Sequence, residues 1–214
     1  MMNGLNIARS LLCASLMLVF CTALAACGGP AKAPEAQPPL AGARIGGPFT
    51  LTDQDGRTVR DGDFAGKYRI VYFGYSYCPD ICPVDLQKLM RGLAQFEKAD
   101  PARGAKVQPL FVTVDPARDT PAALKPFVAR YHPRLLGLTG TPEQIAAVAK
   151  DYAVVYNKVA GSAPDRYLMA HSQIAFLMNP DDKPLAMLPL DDPSTDGDEG
   201  APAEVAAELA KWVK

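Results

Sequence analysis

The apolar positions of the chain follow two periods. Tyr68–Phe73 is a run of β-branched and aromatic residues between Gly66-Lys67 and Gly74, which predicts a central strand covered on both faces, and Val107–Val114 predicts a second. Val84–Lys98 instead places Leu86, Leu89, Met90, Leu93 and Phe96 at helical spacing, a stripe that faces the core. Thr120 as N-cap with Pro121 at the first position predicts a helix reaching Tyr131, and Thr141, Pro142 and a capping-box Gln144 predict another. An amphipathic helix carrying the only tryptophan, Trp212, is expected over Pro202–Val213. Shorter strands fill the gaps. Phe49–Thr52 turns at Asp53-Gln54-Asp55-Gly56 toward Val59, Leu135–Leu138 is short, and Ala153–Lys158 pairs with Arg166–Met169 around Gly161-Ser162-Ala163-Pro164. Gln173–Met178 follows His171 and turns at Asn179–Asp182 into an antiparallel Pro184–Leu190. Strands alternating with helices, then a final hairpin and helix, indicate an α/β fold. Its sheet is of mixed direction and flanked by helices, with an extra hairpin before the histidine strand. Asp191–Gly200 is acidic, lacks a large apolar residue and is expected to be a mobile loop.

The first 26 residues break this pattern. Arg9 precedes the uncharged apolar run Leu11–Ala25, the arrangement of a secretory signal peptide. The run ends in Leu24-Ala25-Ala26-Cys27, which resembles the bacterial lipoprotein box, so Cys27 is the expected lipid-modified first residue of the mature chain. Residues 28–43 are Pro, Ala and Gly with almost nothing apolar and large, a composition that forms a tether rather than a core. Such a tether reaches about 20–25 Å as a flexible coil. The expected organisation is therefore a signal peptide over 1–26, a lipidated cysteine and tether over 27–43, and one domain over 44–214. That makes a bacterial membrane lipoprotein whose domain faces the periplasm or cell exterior, anchored to the cytoplasmic membrane. A net charge of −1 without a basic stripe argues against nucleic acid as a partner.

Removal of the leader changes what the cysteines mean. Cys13 and Cys21 leave with it and Cys27 carries lipid, so of five cysteines only Cys78 and Cys82 remain as thiols, with no second pair to make a framework. A lone dithiol in an oxidising compartment points to redox exchange or to metal ligation. A stapling disulfide is the plainer alternative, and spacing alone excludes none of these. The cysteines stand four apart, and a helix beginning near Pro79 would put both sulfurs on one side of its first turn. Both thiols would then ionise more readily than a free cysteine, because a helix N-terminus favours negative charge. The pair follows the carboxyl end of a central strand, where open α/β sheets place their sites. Of the two histidines, His132 sits in a surface connection, Tyr131-His132-Pro133, whereas His171 at the lip of the sheet can complete a soft three-ligand site with the two sulfurs.

Tyr72-Phe73-Gly74-Tyr75, Cys78-Pro79-Asp80-Ile81-Cys82-Pro83, Val114-Asp115-Pro116 with Arg118-Asp119-Thr120, Leu138-Thr139-Gly140 and His171-Ser172 together resemble the Sco/SenC family. The resemblance implies a thioredoxin-like fold that binds copper and serves assembly of the dinuclear copper centre of cytochrome c oxidase. It places the family's ligands on Cys78, Cys82 and His171, for Cu(I) or Cu(II). The implied partners are the oxidase subunit carrying that centre, other copper chaperones or a thiol reductant, and the membrane through the lipid. A thiol–disulfide oxidoreductase that keeps the cysteines of the oxidase subunit or another exported protein reduced is the alternative; it needs only the dithiol. Many members carry an acidic residue before the histidine, where this chain has Ala170, and Ser76 stands where threonine is common. Asp80 and Asp115 remain as outer carboxylates, with capping or turn roles expected of both.

Overall fold

In a computed structural model of the protein, residues 36–161, 166–192, 194–195 and 199–214 are described. The leader, Cys27 and the first part of the tether lie outside the described residues. Among those described, no helix is long and apolar enough to cross a membrane.

Seven strands make one sheet: β1 (Thr50–Asp53), β2 (Thr58–Arg60), β3 (Tyr68–Gly74), β4 (Val107–Thr113), β5 (Leu136–Thr139), β8 (Ala175–Met178) and β9 (Pro184–Met187), in the order β2-β1-β5-β4-β3-β8-β9. β3, β4 and β5 run parallel, and β1, β2, β8 and β9 complete the sheet antiparallel. Every residue of β3 and β4 is buried, which is why both read as nearly continuous apolar runs, interrupted by the buried Arg69 and Gln108. Among the described residues five α-helices accompany the sheet: α1 (Ile81–Ala99), a single turn α2 (Pro101–Gly104), α3 (Pro121–Val128), α4 (Pro142–Asp151) and α5 (Pro202–Trp212). The α1 stripe Leu86, Leu89, Met90, Leu93 and Phe96 is buried as expected. α1 lies close against α5 at Gly92, where a Cβ would stand 2.5 Å from Val205, so only glycine fits.

Local chemistry sets the helix ends. Thr120 caps α3 through Ala123 N–H, and Thr141 with Gln144 forms the capping box of α4. α3 stops at Val128 rather than Tyr131, because its last turn tightens into i→i−3 bonds from Arg130 to Phe127 and from Tyr131 to Val128. α2 escaped the sequence pattern; Asp100 caps it by accepting Arg103 N–H.

Three expectations change. The compact unit runs from Pro38 to Lys214, and Leu40 N–H donates to the Leu185 carbonyl at 3.0 Å, so residues 38–43 join the domain. The 191–200 segment is anchored at its described ends, because Lys88 Nζ donates to Asp191 Oδ1 (2.5 Å) and to the Glu199 carbonyl (3.1 Å). Finally, the extra hairpin is β6 (Tyr156–Val159) with β7 (Leu168–His171), two strands that pair in their own sheet. His171 closes β7 opposite Tyr156, so it belongs to the hairpin rather than preceding β8.

Candidate functional site

β3 ends at Gly74, and the chain turns through Tyr75-Ser76-Tyr77 before Cys78. A Cβ at Gly74 would lie 3.1 Å from Cys82 Sγ and 3.0 Å from the Tyr72 ring, so the glycine makes room for the sulfur behind the strand end. The turn is held from below by Asp119, which is fully buried and accepts Ser76 N–H (3.0 Å), the Ser76 hydroxyl and the Thr113 hydroxyl (2.6 Å). Burial raises the Asp119 pKa, and the Ser76 and Thr113 hydrogen bonds oppose that rise.

Helix α1 starts at Ile81, two residues later than Pro79, with Asp80 at the N-cap. The Asp80 side chain makes no capping bond. Cys82 lies in the first helical turn, while Cys78 lies before the helix. The Cys82 backbone N–H, one of the four donors a helix start leaves unpaired, donates to Cys78 Sγ at 3.4 Å. The sulfur therefore takes the place of the missing side-chain cap. This asymmetry splits the two thiols where the sequence predicted both would ionise easily. Cys78 is pulled down to about 5, first by the hydrogen bond from the Cys82 thiol, then by the backbone N–H groups of Cys82 and Asp80 and by His171, all acting against partial burial. Cys82 is pushed up, by its hydrogen bond to the Cys78 sulfur and by complete burial. One proton is shared, and Cys78 carries the charge. Both cysteines are free of disulfide.

His171 arrives from the hairpin. Its Nε2 lies 3.3 Å from Cys82 Sγ, and its Nδ1 lies 3.0 Å from the Ser172 carbonyl. A carbonyl only accepts, so Nδ1 carries a hydrogen, which leaves Nε2 as the ring nitrogen that faces the sulfur and can ligate when the ring is neutral. The Ser172 carbonyl thus orients the ring, a role that Ala170, standing where an acidic residue is common, cannot fill. The Tyr75 ring meets the imidazole edge-on, with centroids 6.1 Å apart. A cleft of about 440 Å³ opens beside these groups, walled by Tyr75, Cys78, Ile81, Leu168, Met169 and His171. Among the described residues no three His, Cys, Asp or Glu side chains already stand as a metal cluster. Cys78, Cys82 and His171 form a line of contacts instead. Two soft sulfurs and one imidazole lone pair are a donor set suited to copper(I).

The other candidates fall elsewhere. His132 is buried rather than at the surface; Nδ1 accepts Arg134 N–H at 3.2 Å, which leaves Nε2 to donate to Glu97 at 3.3 Å, away from the cysteines. Asp115 is buried and its side chain neither caps nor turns: it accepts from Arg118 Nε (2.5 Å) and the Tyr167 hydroxyl (2.8 Å). Sequence reasoning missed Asp85, which is fully buried on α1 and accepts the Tyr72 hydroxyl (2.9 Å) and Gln173 Nε2 (3.2 Å). Burial raises it to about 6, against the pull of those two donors. A charged residue inside the α1 apolar stripe was the available sign.

The match to the SCO1/SenC family model covers residues 37–213. The chain is 47% identical over 135 residues to the mitochondrial SCO2 homologue of Bos taurus, covering 63% of this chain and 50% of that protein. It is 44% identical over 140 residues to SenC of Rhodobacter capsulatus, 65% of this chain and 61% of that one. Among solved structures it resembles Bradyrhizobium japonicum ScoI with copper bound, at 38% identity and a TM-score of 0.68, over 78% of this chain and 99% of that one. The chain spans about half the length of the first of its curated relatives. The likeness to the solved structure identifies the α/β architecture as the thioredoxin-like fold that the motifs imply.

Proposed function

The chain belongs to the SCO1/SenC family, and from that premise we propose that it is a copper-binding metallochaperone that serves assembly of the dinuclear copper centre of cytochrome c oxidase. Cys78, Cys82 and His171 hold the ion, and the oxidase subunit carrying that centre receives it. The observation that carries this reading is the approach of His171 Nε2 to 3.3 Å from Cys82 Sγ across 89 residues of sequence. The ScoI relative with copper bound supports it. Copper(I) prefers thiolates and accepts imidazole, and three-coordination leaves one side through which a partner's ligand can enter. The same ligands with an added oxygen suit copper(II). Ligation requires the reduced dithiol, so a Cys78–Cys82 disulfide excludes the ion. Cys27 anchors the domain to the outer face of the cytoplasmic membrane through its lipid, beside the client.

A second reading has its own observation. Cys78 is partly exposed with its thiol lowered to about 5, and Cys82 stands behind it, the arrangement of an attacking and a resolving thiol. In that reading the domain reduces cysteines of the oxidase subunit or of another exported protein, and His171 is dispensable.

Copper(I) titration of the reduced protein against a competing chelator separates the two. One tightly held ion per chain is expected. Cys78→Ser and Cys82→Ser should each cost more than His171→Ala, because a thiolate is the softer and more strongly bound ligand for copper(I). No competitive binding would leave only the dithiol chemistry; undiminished binding by His171→Ala would remove the histidine from the site.

A further inference from the structure

Asp115 and Arg118 lie apart from the line of candidate ligands, yet both reach across to the hairpin that carries one. Among the described residues β6 and β7 pair only with each other, so no backbone ladder fixes His171 relative to the seven-stranded sheet. Side chains do this instead. Arg118, in the turn between β4 and α3, gives Nε to Asp115 Oδ2 (2.5 Å) and Nη1 to the carbonyl of Tyr167 (3.0 Å), the residue that enters β7. Tyr167 in return donates its hydroxyl to the other oxygen of Asp115 at 2.8 Å. One buried carboxylate therefore grips both partners. The Arg118 guanidinium carbon lies 3.7 Å from the Tyr167 ring centroid, and Lys158 Nζ, from β6, lies 3.7 Å from the same centroid. Both strands of the hairpin are thus gathered on one ring. The same guanidinium lies 5.6 Å from the Tyr75 ring, which meets His171 edge-on. Charge-assisted bonds and planar stacking of this kind are what arginine supplies and lysine does not.

We propose that Asp115, Arg118 and Tyr167 form a clamp that holds the β6–β7 hairpin over the dithiol, which makes Arg118 a positioning residue for His171. Its effect on copper rests on His171 being a ligand; its effect on the hairpin does not. If Arg118 merely supported the β4–α3 turn, its loss would loosen β4 as much as the hairpin.

Hydrogen exchange read by mass spectrometry on the reduced, metal-free full chain tests the clamp. In Arg118→Gln, amides of residues 156–159 and 168–171 should exchange about tenfold faster or more, as the loss of a hydrogen bond to a charged group allows, while those of β3 and β4 keep their rates. Tyr167→Phe, which removes one hydroxyl and keeps the ring, should show a smaller change in the same segments and serves alone if Arg118→Gln does not fold. Hairpin rates unchanged in the variants that fold, or equal acceleration in β3 and β4, would overturn the clamp. Copper(I) competition adds the second arm. Arg118→Gln should weaken binding in the parent chain and add nothing in a His171→Ala background. An equal loss in both backgrounds would mean that it acts on the dithiol directly and would sink the positioning role. If His171→Ala binds copper undiminished while Arg118→Gln still loosens the hairpin, the ligand assignment fails and the clamp stands.

Discussion

β3 with β4 and β6 with β7 each bring chemistry to one site, yet they are built on different physics. β3 and β4 share a parallel ladder from Tyr68 opposite Val107 to Gly74 opposite Thr113, with every residue buried. β6 is mostly exposed, β7 alternates between exposed and half-buried, and Leu168 and Val159 stand open to solvent. The cysteine turn thus rises from the most over-determined part of the molecule, while the histidine comes on an element that a few side chains hold in place. A ladder and a core fix the sulfurs; polar contacts place the imidazole.

Substitutions should expose this contrast, beginning with the sheet. Phe111→Ala, at a position with no exposed surface on β4, should lower the unfolding free energy by about 3–5 kcal/mol in urea denaturation, through lost burial and the cavity left behind. A much smaller loss would mean that the centre is less tightly packed than its burial indicates. The next contrast lies within the dithiol. At pH 6 a thiol-alkylating reagent should label Cys78 and leave Cys82 unmodified, since Cys78 is partly exposed with its thiol lowered to about 5 whereas Cys82 is buried with its thiol raised. Peptide mass mapping reads the result, and comparable labelling of both would remove the asymmetry.

Asp85 sharpens the comparison from the buried side. Its folded pKa is raised from 3.8 to about 6, so the native state holds a proton there that the unfolded chain has released. Stability from this group is complete below about pH 4 and is lost as pH rises through 6, a loss of about 2–3 kcal/mol. Asp85→Asn should abolish that slope, so its advantage over the parent chain grows between pH 4 and pH 7 in urea titrations. A constant difference across that range would show that the carboxyl is charged throughout. At the other extreme, Leu168→Ala on β7 should change the unfolding free energy by no more than about 0.5 kcal/mol, in the same urea assay, because the side chain is 45% exposed. A loss comparable to Phe111→Ala would place the hairpin inside the cooperative core.

What could be read from sequence follows the same division. The apolar runs of β3 and β4, the α1 stripe and the threonine caps of α3 and α4 are local patterns with local causes, and the structure has each of them. The cysteines and His171 stood out because so few thiols and imidazoles exist in the chain, and the fold brings Cys82 and His171 together. The hairpin was harder: its second strand ends two residues beyond the expected Met169, because weak alternation over Leu168–His171 gives no sharp boundary. Pairings between distant elements cannot be read from local patterns: Asp119 beneath Ser76 and Tyr72 against Asp85 depend on which strand ends and helices meet. The start of α1 was misplaced for a related reason. Proline at position 79 is compatible with a first helical turn, but the turn that delivers Cys78 uses those residues first.

The unequal depth of the two sulfurs gives any exchange at this site an order in space. Cys82 has no exposed surface and Cys78 has some. An incoming donor atom therefore meets the outer sulfur and the imidazole edge before it can approach the inner one. In the proposed copper site, a partner's ligand would reach Cys78 and His171 first, and the bond to Cys82 would be the last to break. Cys82 is seated in helix α1, so the emptied site would keep one fixed half on which the next ion could be rebuilt.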